Sequence, residues 1–308
     1  MAADFFTKET TPDFDQVFPV LVMGTVSSGK STLINALLGQ QILPGRNEAC
    51  TAKAFYILND DSAEHTRLYI TYANGKTIVR EENIASAIEW ANKDKRVTDV
   101  FLRGPVKDVR NRDKALLIVD TPGPNNARDM SHGGILEDTL SRITEGLTVY
   151  VINAAYRGTC DDRDLLKQLH ASLKQHPKMK VLFVINQADK LDAERESIEG
   201  MVLETVDYLK ENGFHRPNLI PTSALAACMF QKALDEKRMS RKERLDFVSR
   251  YALYKPCSYA LKSYAVTKDL PDQFEQVTAA GVKYRVGELM QAIENTGIGL
   301  VEDYIRKA

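Results

Sequence analysis

One glycine-rich segment restricts what this chain can fold into more than any other feature does. Residues 24–31 read GTVSSGKS, which fits the pattern G-x-x-x-x-G-K-[ST]. Residues 18–23 before it favour a β-strand, and residues 32–38 after it favour an α-helix. A strand that turns through glycines into a helix directs backbone N–H groups and the positive helix end at one point, where phosphate binds. The segment therefore predicts an α/β domain that binds a nucleoside triphosphate.

The residue types within this segment predict separate roles. Gly24 and Gly29 allow the backbone to wrap a phosphate, and Lys30 reaches the outer phosphates. Ser31 offers its hydroxyl to Mg²⁺. The residues predicted to contact the nucleotide here are Gly24, Ser27, Ser28, Gly29, Lys30, Ser31 and Thr32.

Further apolar runs predict the sheet around this segment. Those typical of parallel strands are residues 18–23, 115–119, 147–152, 181–185 and 218–220, with helix-like stretches between most of them. Those typical of antiparallel strands are residues 51–58, 67–71 and 77–80. Asn74 and Gly75 predict a hairpin turn at the sheet edge. We expect an α/β P-loop fold: a mostly parallel central sheet extended by antiparallel strands, helices on both faces, and a helical C-terminal part.

The two ends of the chain carry weaker signals. Residues 1–16 are interpreted as a lead-in, and residues 17–308 as one domain. Within it, residues 224–308 are expected to be mostly helical, without an evident strand, and to include one helix over residues 286–306. Acidic side chains interrupt the basic ones in residues 232–255, which favours a solvated helix face over a binding patch.

Charge and cysteine content limit the partners. Lys and Arg number 41 against 42 Asp and Glu, for a net charge of −1, which predicts binding neither to nucleic acid nor to anionic membranes. The four cysteines contain no C-x-x-C pair, and this favours a cytoplasmic location. No apolar run reaches about eighteen residues, so no membrane-spanning helix is expected.

A second motif, DTPG at residues 120–123, follows an apolar strand. Asp120 would then lie at the carboxyl end of a central strand and face Mg²⁺ through water. The N–H of Gly123 is predicted to sense the γ-phosphate, so that residues 124–134 order with triphosphate and relax after hydrolysis. Thr51 lies between the P-loop and Asp120, where its hydroxyl could complete the Mg²⁺ shell as a switch residue.

A third motif, NQAD at residues 186–189, predicts the base. The Asp189 carboxylate can accept hydrogen bonds from guanine N1–H and its exocyclic amine, whereas adenine has no donor at N1. Asn186 would tie this loop to the phosphate loop. Gln187 replaces the usual lysine, which lowers the expected affinity for the base. Ser223 and Ala224, after the last strand, are expected to contact the base through backbone N–H groups.

Together these residues resemble the bacterial dynamin-like proteins, and through them the dynamins and mitofusins. The resemblance rests on GTVSSGKST with Ser27 at the position of a catalytic serine, on Leu43-Pro44 before Thr51, and on the long interval from Thr51 to Asp120. It covers roughly residues 17–305 and only the GTPase domain. It leaves open whether the chain is an excised domain or whether a partner supplies the stalk and membrane-binding parts.

The resemblance also implies a mechanism and a cellular role. Pro124 stands where Ras-like enzymes carry a water-orienting glutamine. The family resemblance implies instead that the Thr51 backbone, Ser27 and a K⁺ or Na⁺ ion position the attacking water. It also implies that this arrangement is completed when two domains pair across their nucleotides as a homodimer. It implies GTP hydrolysis coupled to membrane remodelling, with peripheral membrane contact only through segments or partners beyond this domain.

Three alternatives remain at this point. A regulatory, ribosome-assembly-type GTPase would have a short interval between Thr51 and Asp120 and usually an RNA-binding appendage. A GTP-binding scaffold with little hydrolysis is compatible with Pro124. An adenine-nucleotide enzyme is the least favoured, because Asp189 would lack a donor to bind.

Overall fold

The structure of the chain, a computed structural model, describes residues 6–8, 11–12, 14–44, 55–106, 111, 113–121, 143–156, 158–191, 196–255, 260–261 and 276–307. Its strands are β1 Phe6–Lys8, β2 Thr11–Pro12, β3 Val17–Met23, β4 Phe55–Asn59, β5 Arg67–Tyr72, β6 Thr77–Arg80, β7 Val97–Gly104, β8 Ala115–Asp120, β9 Glu145–Asn153, β10 Lys178–Asn186, β11 Leu219–Pro221, β12 Gln276–Ala279 and β13 Val282–Arg285. Its helices are α1 Lys30–Leu38, α2 Ile84–Lys93, α3 Cys160–Gln175, α4 Ile198–Glu211, α5 Ala224–Leu234, α6 Arg241–Tyr254, α7 Val286–Asn295 and α8 Ile298–Lys307, with a 3₁₀ turn at Ala188–Lys190.

A nine-stranded sheet organises the fold, in the order β11-β10-β9-β3-β8-β4-β7-β5-β6. The five strands from β11 to β8 are parallel. β4 pairs antiparallel with β8, and β5 and β6 form an antiparallel hairpin at the edge. Gly75 makes the turn between them with a φ of 80°, after Asn74. The predicted mostly parallel sheet with antiparallel additions is confirmed.

Alternation along the strands divides the core into two layers. In β3, Val20 and Val22 pack with helices α1, α2, α5 and α8 on one face of the sheet. Leu21 and Met23 pack with helices α3 and α4 on the other face. All four side chains are 0% exposed, which explains why the sequence of this strand is almost continuously apolar. The prediction of helices on both faces is confirmed.

A buried carboxylate fixes the start of α3 against the second face. Thr159 caps the helix by accepting a hydrogen bond from the Asp162 N–H at 3.3 Å. Asp162 accepts hydrogen bonds from the hydroxyls of Tyr150, at 2.6 Å, and Tyr208, at 2.8 Å. Burial, reinforced by the nearby carboxylate, raises the pKa of Tyr150. The tyrosines therefore remain neutral donors that join β9 and α4 to α3.

The expectation that residues 224–308 lack a strand is wrong. β12 and β13 form a two-stranded hairpin between α6 and α7. Ala280 and Gly281 make its turn with φ values of 53° and 79°, both in the left-handed region that two-residue hairpin turns use. Val277 is buried against the cluster that contains Phe247 and Tyr251. The strands are four residues each, too short for their alternation to be distinguished from a helical pattern.

The single helix predicted over residues 286–306 is also wrong, because the chain breaks between α7 and α8. Gly297 has a φ of 79° there, and a Cβ atom on it would overlap the carbonyl oxygen of Pro221. The Asn295 side chain donates to the Tyr254 carbonyl oxygen at 2.7 Å, which fixes the end of α7 against the end of α6. Close packing on β11, rather than helix propensity, decides the break.

The described part of the N-terminal lead-in contains a short antiparallel pair, β1 and β2, which the sequence did not predict. Among the described residues, no helix is both long and apolar enough to cross a bilayer.

Candidate nucleotide-binding site

The carboxyl ends of four adjacent parallel strands meet at one edge of the sheet. Gly24 follows β3, and Asp120 ends β8. Asn153 ends β9, and Asn186 ends β10. Open α/β sheets bind ligands at this edge. The topology therefore places the three predicted motifs side by side.

The phosphate loop needs its two glycines for space and for backbone conformation. Gly24 has a φ of 148°, and a Cβ atom on it would overlap the carbonyl oxygen of Val151. Gly29 has a φ of 92°, and a Cβ atom there would overlap the Asn186 side-chain amide. Ser27 is also left-handed, with a φ of 62°. The loop thus packs directly on β9 and on the loop after β10.

The Lys30 ammonium group folds back over the loop. Its Nζ donates to the carbonyl oxygens of Gly24, at 2.8 Å, and Thr25, at 3.0 Å. Lys30 is 7% exposed, so little water solvates this charge. A phosphate bound to the loop would offer it a fully charged partner.

Ser31 and Asp120 are adjacent, as their predicted roles require. Ser31 Oγ donates to Asp120 Oδ2 at 2.9 Å, and Asp120 is 1% exposed. A hydroxyl and a carboxylate are the oxygen ligands that Mg²⁺ prefers in phosphate sites. The donor set therefore fits a magnesium ion. Thr51, Gly123 and Pro124 lie outside the described residues.

A buried asparagine fixes the chain that leads toward Thr51. The Asn35 side chain donates to the Leu43 carbonyl oxygen at 2.8 Å and accepts from the Ile42 and Leu43 N–H groups. Asn35 is 4% exposed and lies on α1, immediately after the phosphate loop. The Leu43-Pro44 segment is therefore anchored to the helix that carries Lys30.

Thr32, also predicted to contact the nucleotide, lies in the first turn of α1 and is half-buried. Its carbonyl oxygen accepts from Cys228 Sγ of α5 at 3.6 Å. Burial raises the pKa of the Cys228 thiol to about 12, so this thiol stays neutral. The contact joins α5 to the helix that follows the phosphate loop.

Asn186 connects three segments of the candidate site. Its Nδ2 donates to the Ser28 carbonyl oxygen at 3.1 Å, which links the base motif to the phosphate loop. Its Oδ1 accepts from the Ala224 N–H at 3.1 Å. The Ser223 N–H donates to the Thr296 carbonyl oxygen at 3.1 Å. Both backbone N–H groups predicted to contact the base thus donate within the protein, so a base would share the Ala224 hydrogen with Asn186.

Gln187 has a place that the sequence did not predict. It is left-handed, with a φ of 66°, and its Nε2 donates to the Ser27 carbonyl oxygen at 2.8 Å. Asn153 Nδ2 donates to the same oxygen at 3.0 Å. Two amides from two strand ends therefore hold the backbone of Ser27. Asn153 ends an apolar run as Asn186 does, and this similarity could have identified Asn153 as a candidate site residue from the sequence.

Asp189 forms an ion pair with a residue from the C-terminal part. Arg250 Nη2 of α6 lies 3.0 Å from Asp189 Oδ2, and the two side chains are 16% and 5% exposed. The interpretation of residues 232–255 as a solvated face is therefore wrong at Arg250. This arginine neighbours Tyr251 and lies one turn from Phe247 and Tyr254, all on the buried side of α6. The helical spacing of these aromatic residues could have predicted that Arg250 lies toward the buried side, which the count of charges alone did not indicate.

Comparison with known proteins assigns these motifs to a family. A model of the Dynamin family matches residues 20–188, which include the phosphate loop, Asp120 and Asn186. The match covers more than half of the chain.

Two curated proteins show the same likeness. A protein of Arabidopsis thaliana named as an FZO-like, chloroplastic transmembrane GTPase is 27% identical over 212 residues, covering 64% of this chain and 17% of that protein. Dynamin-like protein 2 of Campylobacter jejuni is 26% identical over 188 residues, covering 61% of this chain and 28% of that protein. The chain thus spans less than a third of either relative.

Among solved structures, an oligomerised bacterial dynamin pair is similar. That pair is described as providing a mechanism for the long-range sensing and tethering of membranes. The likeness has a TM-score of 0.54 at 20% identity and covers 78% of this chain and 38% of that chain. At this identity it supports the fold.

Proposed function

The chain belongs to the dynamin family, and from that premise we propose that it binds GTP and hydrolyses it to GDP and phosphate. One observation carries the proposal: the Asn186 amide donates to the Ser28 carbonyl oxygen at 3.1 Å. This contact joins the predicted guanine-reading motif to the predicted phosphate loop, which supports a single nucleotide site formed by both. GTP and GDP are therefore the proposed ligands, and no nucleic-acid partner is proposed.

The proposed roles at the phosphate end follow from the same geometry. Lys30 neutralises the outer phosphates once its ammonium leaves the carbonyl oxygens of the loop. Ser31 and Asp120 would hold Mg²⁺, which would supply positive charge against the phosphates. We further propose that Thr51 completes the metal shell and that the Gly123 N–H senses the γ-phosphate.

Orientation of the attacking water is proposed to depend on Ser27. Its backbone is held by Asn153 and Gln187, at 3.0 and 2.8 Å, so its position is set by two strand ends. A hydrogen-bond donor that is already held in place where charge develops in the transition state lowers the barrier to hydrolysis, because the protein does not have to rearrange during the reaction. K⁺ or Na⁺ near Ser27 would supply further positive charge, and a second domain facing the nucleotide would close the site.

We also propose a cellular role. We propose that residues 17–308 act as the GTPase domain and that nucleotide-dependent homodimerisation drives membrane remodelling. Support comes from the family and from the similar dynamin pair described in membrane tethering. Membrane contact would be peripheral, from the cytoplasmic side, and would depend on segments or partners beyond this domain.

Calorimetric titration with GTP and ATP, each with Mg²⁺, tests the binding proposal. The chain should bind GTP more tightly than ATP, because the Asp189 carboxylate can accept from both the N1–H and the amine of guanine, whereas adenine has no donor at N1. Lys30→Ala provides the control for binding through the phosphate loop. Equal affinities for GTP and ATP would contradict the proposed function.

A further inference from the structure

We propose that Arg250 is a positioning residue for base recognition: it orients the Asp189 carboxylate so that both guanine donors can bind it. The inference rests on the proposed function and adds a specificity-determining residue to it. It places part of the guanine site on α6, in the C-terminal helical part of the chain.

The contact is short and shielded from water. Arg250 Nη2 lies 3.0 Å from Asp189 Oδ2, and the Asp189 side chain is only 5% exposed. A carboxylate that has lost most of its hydration is costly unless an opposite charge lies close to it. Arg250 supplies that charge, and a charge-assisted contact of this kind also fixes direction.

Arg250 has one other acidic neighbour, Asp246, among the ion pairs described. Arg250 Nη1 lies 3.9 Å from Asp246 Oδ1, and that carboxylate is 37% exposed. This pair is longer and better solvated than the pair with Asp189, so it contributes little. The main ion pair of the Arg250 guanidinium is therefore the one with Asp189, and Asp246, one turn earlier on α6, is a weaker second partner.

The helix that carries Arg250 is packed against α5 on either side of this residue. Phe247 and Tyr254 on the same helix are 0% exposed. Their rings pack against Phe230 of α5 at centroid distances of 5.9 and 6.1 Å. Because α6 is fixed by these contacts on either side of Arg250, the guanidinium has a defined place from which to hold Asp189.

The ion pair is compatible with a bound guanine. A carboxylate has two oxygens with about four acceptor positions, so Arg250 and two guanine N–H groups can bind it together. Guanine needs both oxygens in one plane facing N1–H and the amine, and an unrestrained carboxylate would meet that condition only part of the time. Hypoxanthine lacks the amine and would gain less from the same orientation.

The experiment measures affinities for GDP and inosine diphosphate in the wild type and in Arg250→Met. The wild type should prefer GDP by roughly tenfold or more, the value of one charge-assisted hydrogen bond. Arg250→Met should lose most of that preference, while a control, Arg241→Met at an exposed position on the same helix, keeps it. In an Asp189→Asn background, Arg250→Met should have little further effect, because the two residues act as a unit.

Three results would overturn the proposal. They are an unchanged GDP preference in Arg250→Met, an equal loss of both affinities, and a full effect of Arg250→Met in the Asp189→Asn background. If Arg250→Met does not fold, Arg250→Lys replaces it, since lysine keeps the charge without the planar fork; it should retain only part of the preference, and full retention contradicts the proposal. A wild type that does not prefer GDP to ADP would instead contradict the proposed function itself, and the inference with it.

Discussion

The proposed base recognition depends on Asp189. Its side chain is 5% exposed and lies 3.0 Å from Arg250, so a base that offers it no matching donor would leave a poorly solvated carboxylate oxygen unpaired. Base preference should therefore respond sharply to a change of this one group.

Asp189→Asn should weaken GTP binding by roughly tenfold to hundredfold, because the amide turns a donor toward guanine's own donors. It should also admit xanthosine triphosphate, whose second oxygen can accept from the new amide. Titration of both nucleotides against the two proteins measures the change. Unchanged GTP affinity would mean that the base lies elsewhere.

Lys30→Ala and Thr51→Ala should separate binding from chemistry. Lys30→Ala should abolish most triphosphate affinity, at a cost of at least about 2 kcal/mol, because a charge-assisted contact to the outer phosphates is lost. Thr51→Ala should keep binding and lose turnover by about a hundredfold, as expected for a group that acts in the transition state. Normal hydrolysis by Thr51→Ala, measured by phosphate release, would place the switch at another residue.

At this scale the phosphate loop, Asp120 and Asn186 could be recognised from sequence because local spacing determines their positions. Ser31 and Asp120 are in contact at 2.9 Å, and Asn186 reaches Ser28, as expected. Arg250 could not be assigned, because it belongs to no recognisable motif and only the packing of α6 brings it to Asp189.

At the scale of elements, the Asp162 network joins β9, α3 and α4. Asp162→Ala should destabilise the fold by about 2–4 kcal/mol, because it removes the carboxylate that accepts from both tyrosine hydroxyls and leaves the buried Tyr150 hydroxyl only the longer contact, 3.2 Å, to the carbonyl oxygen of residue 162. Tyr208→Phe, which removes a half-buried hydroxyl, should cost only about 0.5–1.5 kcal/mol. Urea unfolding monitored by circular dichroism measures both, and equal stability of Asp162→Ala and the wild type would contradict the role of the network.

The break between α7 and α8 provides a second test. Gly297→Ala should destabilise the fold by about 1–3 kcal/mol, because it forces a side chain into a left-handed backbone and against the Pro221 carbonyl oxygen. Gly299→Ala is the matched control: it lies in α8 with open space at its Cβ, and it should be neutral or slightly stabilising. Thermal melting distinguishes the two. A stable Gly297→Ala would imply that α7 and α8 can form one helix.

The sequence predicted strands that are continuously apolar, such as β9 and β10, and the edge hairpin of β5 and β6, which an Asn-Gly turn marks. The sequence did not predict the β12–β13 hairpin or the break at Gly297. Both depend on residues in the left-handed region, Ala280 and Gly281 in the hairpin turn and Gly297 where the chain packs on the Pro221 carbonyl oxygen. Residue type alone does not determine which residues of a chain adopt a left-handed conformation.

At the scale of the whole molecule, the chain covers only part of its relatives, 17% and 28% of the two curated proteins. Activity measured with this chain therefore reports only on the part that matches those relatives. If two domains complete one another's sites, GDP with aluminium fluoride should produce a dimer in solution, because this mimic resembles the transition state. Multi-angle light scattering measures the mass, with GDP alone as the control. A monomer in both conditions would contradict pairing across the nucleotide.

We propose that this dynamin-family chain hydrolyses GTP through a site that a second copy completes. The decisive measurement is GTP turnover per molecule in K⁺ at increasing protein concentration, with Lys30→Ala as the blank. Turnover per molecule should rise with concentration as dimers form. A turnover that stays constant from the lowest to the highest concentration would contradict it.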